Sequence, residues 1–560
     1  PTPDIRAELA DGLMWTLHGR TFPAPRFELG IAPAGCMYSS VNELGKFMSV
    51  LFARGKTASG QIIEPETLEE MWRVQFGEKG AKEGFGLGFH MQETKGERLA
   101  GHNGAIYGFS THFSALVDAK VGVVVIASKD FANTVADVIG MKTLVAMLSV
   151  KKGIPFPELP RSTPVDLALA KQIQGRYEGP TRGFDLNAQG TNLTFLWQNG
   201  GLPQAIREYK GDLFSDGVIG FGMQLTRDSA KNVIRIGSEE FRKAETSKPA
   251  TATERWRALI GEYGWDHDTL YILERDGKLW ALIEWFEFDP LEEVSESVFK
   301  FPSRGLYDGE KLVFHRDQAG KVADVVAANV RFMRHSVGPE DGHQLQLKPV
   351  RPIPEIRAEA LKLNPPKETG EFKKPDLVEL TGIDPSLKLD IRYARNDNFL
   401  GTPFYTQARA FLQRPAAEAV ARANKMLQDR GYGLMIFDGY RPWFVTKIFW
   451  DATPDAHKFL VAKPWEGSRH NRGCAVDLSL FDLKTGEPVE MVGTYDEASD
   501  RTYPDYPGGT SLQRWHRKLL RDLMESEGFT VYPEEWWHFD FNDWRHYPIQ
   551  NIRFEELGLK

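Results

Sequence analysis

Gly175-Arg-Tyr-Glu178 returns as Gly261-Glu-Tyr-Gly264, and Ala188-Gln-Gly-Thr-Asn-Leu193 returns as Arg275-Asp-Gly-Lys-Leu279. The offset is steady at 86 to 87 residues. A period of this kind is one supersecondary unit written twice, and it constrains the middle of the chain more than any composition does. Short alternating apolar runs with turn residues fill the stretch from Val165 to about Arg334, so each copy is expected to be an antiparallel β unit. Catalytic residue types do not cluster there. The expectation is a structural or binding module.

The flanks read differently. A chain of 560 residues exceeds one hydrophobic core, so several domains are expected. Residues 1–155 look like mixed α/β. Ser40-Val-Asn-Glu43 has the spacing of a capping box, and the helix it opens should stop by Gly55. Strands are expected over Phe109–Val117 and Val121–Ala127, then a helix from Asn133, as N-cap, to Ser149. A β-rich domain should cover 165–340, and 341–375, with Lys348-Pro-Val-Arg-Pro-Ile-Pro354 and Asn364-Pro-Pro-Lys-Glu-Thr-Gly370, reads as a linker rich in Pro and charge.

The final domain is expected at 376–560 as α+β. Pro415 should start a helix whose Ala416, Ala419, Val420, Ala423, Met426 and Leu427 share one face and which Gly431 ends. The strand Leu434–Phe437 and a helix over Leu512–Glu525 should follow.

Composition excludes several classes. A net charge of -8 leaves no excess of cations for a phosphate backbone, so no nucleic-acid partner is expected. Two cysteines, Cys36 and Cys474, exclude a disulfide framework and a cysteine-rich metal site. Apolar runs such as Val121–Ala127 have strand length, and no membrane span is expected.

Two short motifs carry chemistry. Ser468-Arg-His470-Asn-Arg-Gly473-Cys-Ala-Val-Asp477 and Glu535-Trp-Trp-His538 together supply two imidazoles and two carboxylates. A catalytic zinc takes three protein ligands and keeps one position open, so His470, Asp477 and His538 are the candidate ligands. Such a centre lowers the pKa of a bound water toward neutrality. Glu535, three residues before a ligand, is then placed to act as general base.

Those motifs resemble the VanX-type D-Ala-D-Ala dipeptidases, within the zinc DD-peptidase and Hedgehog-like fold group. Ile391-Arg-Tyr-Ala-Arg-Asn-Asp-Asn-Phe-Leu-Gly401 resembles the family's N-terminal signature. Asp438-Gly-Tyr-Arg441-Pro442 resembles the segment of its transition-state arginine, and Val492-Gly-Thr-Tyr-Asp496 the segment whose aspartate holds the substrate's amino group. The resemblance implies that Arg441 stabilises the oxyanion, that Asp496 selects a free ammonium, and that Ser468 adds a polar substrate contact or serves as a turn residue. It implies one Zn2+ per C-terminal domain and hydrolysis of a small D-amino dipeptide to free D-alanine, linked to peptidoglycan. The alternatives are a zinc DD-carboxypeptidase on longer peptides and a non-catalytic cell-wall-binding protein.

Pro33-Ala-Gly-Cys-Met-Tyr-Ser-Ser40, Glu43-Leu-Gly-Lys-Phe-Met48 and Gly101-His-Asn-Gly104 resemble the back half of a serine β-lactamase or DD-peptidase-like domain. That family's Ser-x-x-Lys and Tyr-x-Asn motifs should stand upstream. Ser149-Val-Lys-Lys152 and Ser297-Val-Phe-Lys300 come after His102, in the wrong order, and Lys484-Thr-Gly486 reads as a hairpin turn. This part is therefore expected to be partial and inactive as it stands, with something lost before Pro1. A periplasmic or secreted setting is expected, a cytoplasmic one being the alternative.

Overall fold

The computed structural model describes residues 3–15, 21–26, 35–78, 80–156, 161–189, 192–200, 202–217, 220–245, 247–283, 287–305, 307–336 and 345–557. Pro33 and Ala34 of the first motif, and positions 337–344 at the expected linker boundary, lie outside the described residues. The chain divides into two compact units. One is Pro1–Thr246 with Trp265–Thr269 and Leu282–Phe288; the other is Ser247–Gly264, Leu270–Ala281 and Asp289–Lys560.

In the first unit, five strands from Gly84–Phe85 to Val121–Ala127 form an antiparallel sheet in sequence order. Val41–Phe52 packs on one face through Met48, and Asn133–Lys152 covers the other through Leu144 and Leu148. Ser40 caps the first of these helices by accepting the Glu43 N–H, but the Glu43 carboxylate accepts from Lys46 at 2.7 Å, so the expected box is only half made. The second begins differently. Its N-cap is Ala132, while the Asn133 amide is used on the Gly104 carbonyl at 2.7 Å, and the helix runs past Ser149 to the left-handed Gly153. By length and composition this helix could cross a bilayer, yet Ala136, Gly140, Leu144 and Leu148 are buried in the fold.

The first β module is closed. Each strand from Gly175–Glu178 to Glu239–Lys243 pairs with the next, and the last pairs back on the first, making an eight-stranded antiparallel barrel. Alternation puts Tyr177, Phe184, Leu186, Phe195, Ile206, Leu213, Leu225 and Phe241 into its interior. The second copy forms a four-stranded sheet, from Gly261–Trp265 to Glu287–Pro290, and a five-stranded one, from Glu292–Ser295 to Val330–Met333. The repeat is visible in detail: Tyr177 donates to the Ile173 carbonyl at 2.8 Å, and Tyr263 donates to the Leu259 carbonyl at 2.7 Å.

The C-terminal part of the second unit is built on a five-stranded sheet ordered Lys388–Leu389, Tyr432–Asp438, Ala475–Asp482, Glu535–Phe541, Phe529–Tyr532. Only the first pair is parallel. The helix Arg414–Gln428 lays Ala416, Ala419, Val420, Ala423 and Leu427 on this core, with Pro415 in its first turn. Ser511–Ser526 packs beside it, opened by a complete Thr510–Gln513 capping box.

Residues 345–375, expected as linker, instead join this core. Apolar spacing makes Ile353–Ala360 a helix whose Ile353, Ile356 and Ala360 are buried with Leu347. Farther on, Glu368 pairs with Arg472 at 2.5 Å and accepts the Ile549 N–H at 2.6 Å.

Candidate metal centre

Strand register assembles the site. Asp477 stands opposite His538 on one neighbour and Asp438 on the other, so three adjacent strands bring these groups to one place. His470 arrives from the turn His470–Arg472, which Gly473 reverses at φ 68°. Glycine suits that φ, and a Cβ on Gly473 would also displace the Leu377 side chain, 2.4 Å away. Ser468 belongs to the same turn: its hydroxyl accepts the His470 N–H at 3.2 Å.

Three buried ligand atoms converge. His470 Nε2 is 3.2 Å from His538 Nδ1 and 3.4 Å from Asp477 Oδ1, and Asp477 Oδ1 is 3.0 Å from His538 Nδ1. Ligands about 2.0–2.2 Å from a tetrahedral zinc would stand about 3.3 Å apart, which matches this triangle. Asp477 Oδ1 is buried without a hydrogen bond, while Oδ2 accepts the Tyr495 hydroxyl at 3.1 Å. The far ring nitrogens are fixed as well. His470 Nδ1 donates to the Gly439 carbonyl at 2.7 Å, and His538 Nε2 donates to Asp540 at 3.0 Å, leaving Nε2 and Nδ1 respectively to face a cation.

The electrostatics favour positive charge at this point. Burial acts to raise the Asp477 carboxyl, but the two imidazoles outweigh it and hold it well below the usual range. Burial alone would depress His538, yet Asp540 and Asp477 push it up to about 10. Metal binding would displace that proton. The donor set, two imidazoles and one carboxylate, fits zinc.

Glu535 lies at the mouth, its Oε2 3.8 Å from His538 Nδ1 and its side chain 36% exposed. Loss of solvation on its inner side pushes the carboxyl up to about 7, against the pull of His538. Arg441 is buried over the rings of Tyr393 and Phe449, with Nε and Nη2 donating to Asp438 Oδ2 at 3.0 and 2.8 Å. It forms a structural ion pair and is also rigidly aimed. Asp438 in turn accepts the Tyr405 hydroxyl at 2.8 Å. Asp496 has left-handed backbone, φ 58°, and accepts the Tyr393 hydroxyl at 3.0 Å. Burial, then Asp477 and Glu535, push its carboxyl up to about 8.

Every sequence-predicted site residue thus falls in this one neighbourhood. Sequence reasoning missed the groups that hold them: Tyr393, Asp438, Tyr495 and Asp540. The first three sit inside quoted motifs, and Asp540 is two residues beyond His538, on the same face of its strand. Cys474 is buried between two ligands, where burial pushes its thiol up. His516 bonds Tyr432 and His546 bonds Asp543, so both are engaged elsewhere. In the first unit His102 is exposed beside Phe85, while Ser149 bonds its own helix at the Val145 carbonyl. Lys484 and Thr485 turn on Asp482, as a hairpin turn should.

Residues 373–556 match the family described as D-ala-D-ala dipeptidase, and residues 1–146 match the one described as beta-lactamase. The D-alanyl-D-alanine dipeptidase of Escherichia coli (strain K12) is 35% identical over 179 residues, covering 91% of that protein and 32% of this chain. The Enterococcus faecium protein of the same name is 33% identical over 175 residues, with 87% and 28% covered. The Streptomyces coelicolor one is 31% identical over 196 residues, with 95% and 32% covered. The octameric penicillin-binding protein homologue from Pyrococcus abyssi aligns at 19% identity and a TM-score of 0.24, over 50% of this chain and 52% of that one. The chain spans about half its length, and so loose a likeness decides nothing.

Proposed function

The chain belongs to the D-Ala-D-Ala dipeptidase family of metallopeptidases through its C-terminal part, and on that premise we propose that it hydrolyses D-alanyl-D-alanine to free D-alanine with one zinc ion held by His470, Asp477 and His538. The convergence of His470 Nε2, His538 Nδ1 and the otherwise unbonded Asp477 Oδ1 carries this reading. Zinc, when bound, would polarise the scissile carbonyl and acidify the attacking water.

The protein's own groups do the rest. Glu535, with its carboxyl near 7, is ionised in a useful fraction at neutral pH. It takes the proton of the attacking water and passes it to the leaving amine. Arg441, held against Asp438, offers its remaining N–H donors to the oxygen on which negative charge grows. Asp496 receives the substrate's ammonium, oriented by the Tyr393 hydroxyl. A longer peptide would put a neutral amide there, which favours the dipeptidase over the carboxypeptidase reading. The proposed setting is peptidoglycan peptide metabolism, outside the cytoplasm.

Glu535→Gln tests the assignment. It should keep one zinc per chain while D-alanine release falls by at least about a hundredfold, the usual scale for a lost general base. Release at the unmodified rate with zinc retained would overturn the role of Glu535. Full zinc occupancy in a His470→Ala, His538→Ala double variant would overturn the ligand set.

A further inference from the structure

Asp496 sits on a long connection between Ala475–Asp482 and Ser511–Ser526 that carries only the short turn Asp500–Thr502. A non-glycine residue in left-handed backbone is uncommon and is kept there by its surroundings. Inside the connection Ser499 and Arg501 close on Glu497, and Thr502 donates to the Glu534 carbonyl at 2.8 Å. Thr494 N–H donates to Glu497 at 2.9 Å, and Tyr495 reaches Asp477.

Its C-terminal end is held from outside the peptidase sheet, by the second β module of the same unit. Glu262 is buried and accepts the Tyr506 hydroxyl at 2.7 Å. Tyr271 packs edge-on against the Tyr506 ring at 5.9 Å. Glu274 is 2% exposed, and its Oε2 accepts the Ser511 N–H at 2.7 Å, a helix-start donor with no partner inside the helix. Its backbone N–H donates to the Gly509 carbonyl at 3.0 Å, and its carbonyl accepts Arg514 Nη2 at 2.6 Å. Gly509 lies beside Val492, the start of the Asp496 segment: a Cβ added to it would stand 3.0 Å from the Val492 side chain. The clamp therefore lies against the start of that segment.

We propose that Glu262 and Glu274 are positioning residues for the dipeptidase site, setting the Asp496 segment so that a free amino group is recognised. The β module is then part of the specificity machinery. The first repeat supports this by contrast: beside its matching tyrosine it carries Arg176 in place of Glu262. The barrel fold does not require that carboxylate. The inference rests on the reading of Asp496 as the ammonium acceptor.

The experiment uses the full zinc-loaded chain, with Tyr506→Phe, Glu274→Gln and Asp496→Ala in parallel. Tyr506→Phe removes one hydroxyl and Glu274→Gln one charge, so both variants should fold and keep one zinc. Each should raise KM for D-Ala-D-Ala about tenfold with kcat within about twofold, the signature of lost uniform binding. The preference for D-Ala-D-Ala over N-acetyl-D-Ala-D-Ala should shrink in step. If Asp496→Ala leaves KM unchanged, the reading of Asp496 fails and the inference goes with it. If Asp496→Ala raises KM while the other two variants do not, the module is a bystander and the inference alone is overturned. A fall confined to kcat, or loss of zinc, would also overturn it.

Discussion

The two β repeats share a frame and differ in what they offer their neighbours. Each begins with a tyrosine tied back to a carbonyl four residues earlier, Tyr177 to Ile173 and Tyr263 to Leu259. Beside that tyrosine the first copy has Arg176, half-buried 3.3 Å from Asp185 of its own barrel. The second has Glu262, buried and bonded to Tyr506 of the peptidase. The shared parts are what an antiparallel β module requires, and the differing parts are what this chain's own second unit requires. A repeat thus separates the cost of folding from the demands of function within one molecule.

Exchanging the differing residues gives the largest expected effect. Glu262→Arg would bury a guanidinium near Arg334 and Arg501, costing roughly 3–5 kcal/mol, as for a broken buried pair. A melting curve should show a fall of many degrees, with dipeptidase activity lost. Arg176→Glu alters a half-exposed pair and should cost at most about 1 kcal/mol. Equal losses would break the comparison.

The pH profile comes next. Tyr393, Asp477, Glu535 and Arg441 all face Asp496, whose carboxyl is raised to about 8. A raised carboxyl is ionised only above that value, so kcat/KM should fall by about tenfold per unit as pH drops below it. The limb should steepen near 7, where Glu535 protonates. Asp496→Asn should remove the upper component and leave the lower one. Arg176→Gln in the first repeat should leave both.

The smallest effect is the most discriminating. Tyr177→Phe deletes the bond to Ile173 and Tyr263→Phe the bonds to Leu259 and Arg334, and each should cost on the order of 1 kcal/mol in denaturant unfolding. Only Tyr263→Phe should raise KM, by a fewfold, because its hydroxyl also accepts Arg334 at 3.2 Å beside Glu262. A KM shift in Tyr177→Phe would erase the distinction.

Much of this was legible in the chain before any coordinates. The repeat, the helix from Pro415, and the convergence of His470, Asp477 and His538 as candidate ligands follow from periodicity and donor chemistry, because strand alternation and ligand geometry are local rules. The N-cap expectation at Asn133 fails because an amide that can cap a helix can equally bond a distant carbonyl, here Gly104. The linker expectation fails over 345–360 because proline and charge describe an exposed chain, while the sparse Leu347, Ile353, Ile356 and Ala360 decide where it packs. Tyr393, Tyr495, Asp438 and Asp540 went unnoticed because a supporting residue has no spacing rule of its own. It is recognised only by what it touches.

That packed stretch governs how the catalytic part can be excised. A recombinant fragment trimmed to the matched residues 373–556 would lack Ile353, Ile356 and Leu347 and the Glu368 carboxylate that neutralises Arg472. Each missing large side chain forfeits about 1.5–3 kcal/mol, against a total stability of about 5–15 kcal/mol. Such a fragment should accumulate in inclusion bodies, whereas one begun at Leu345, with that stretch restored, should stay in the supernatant.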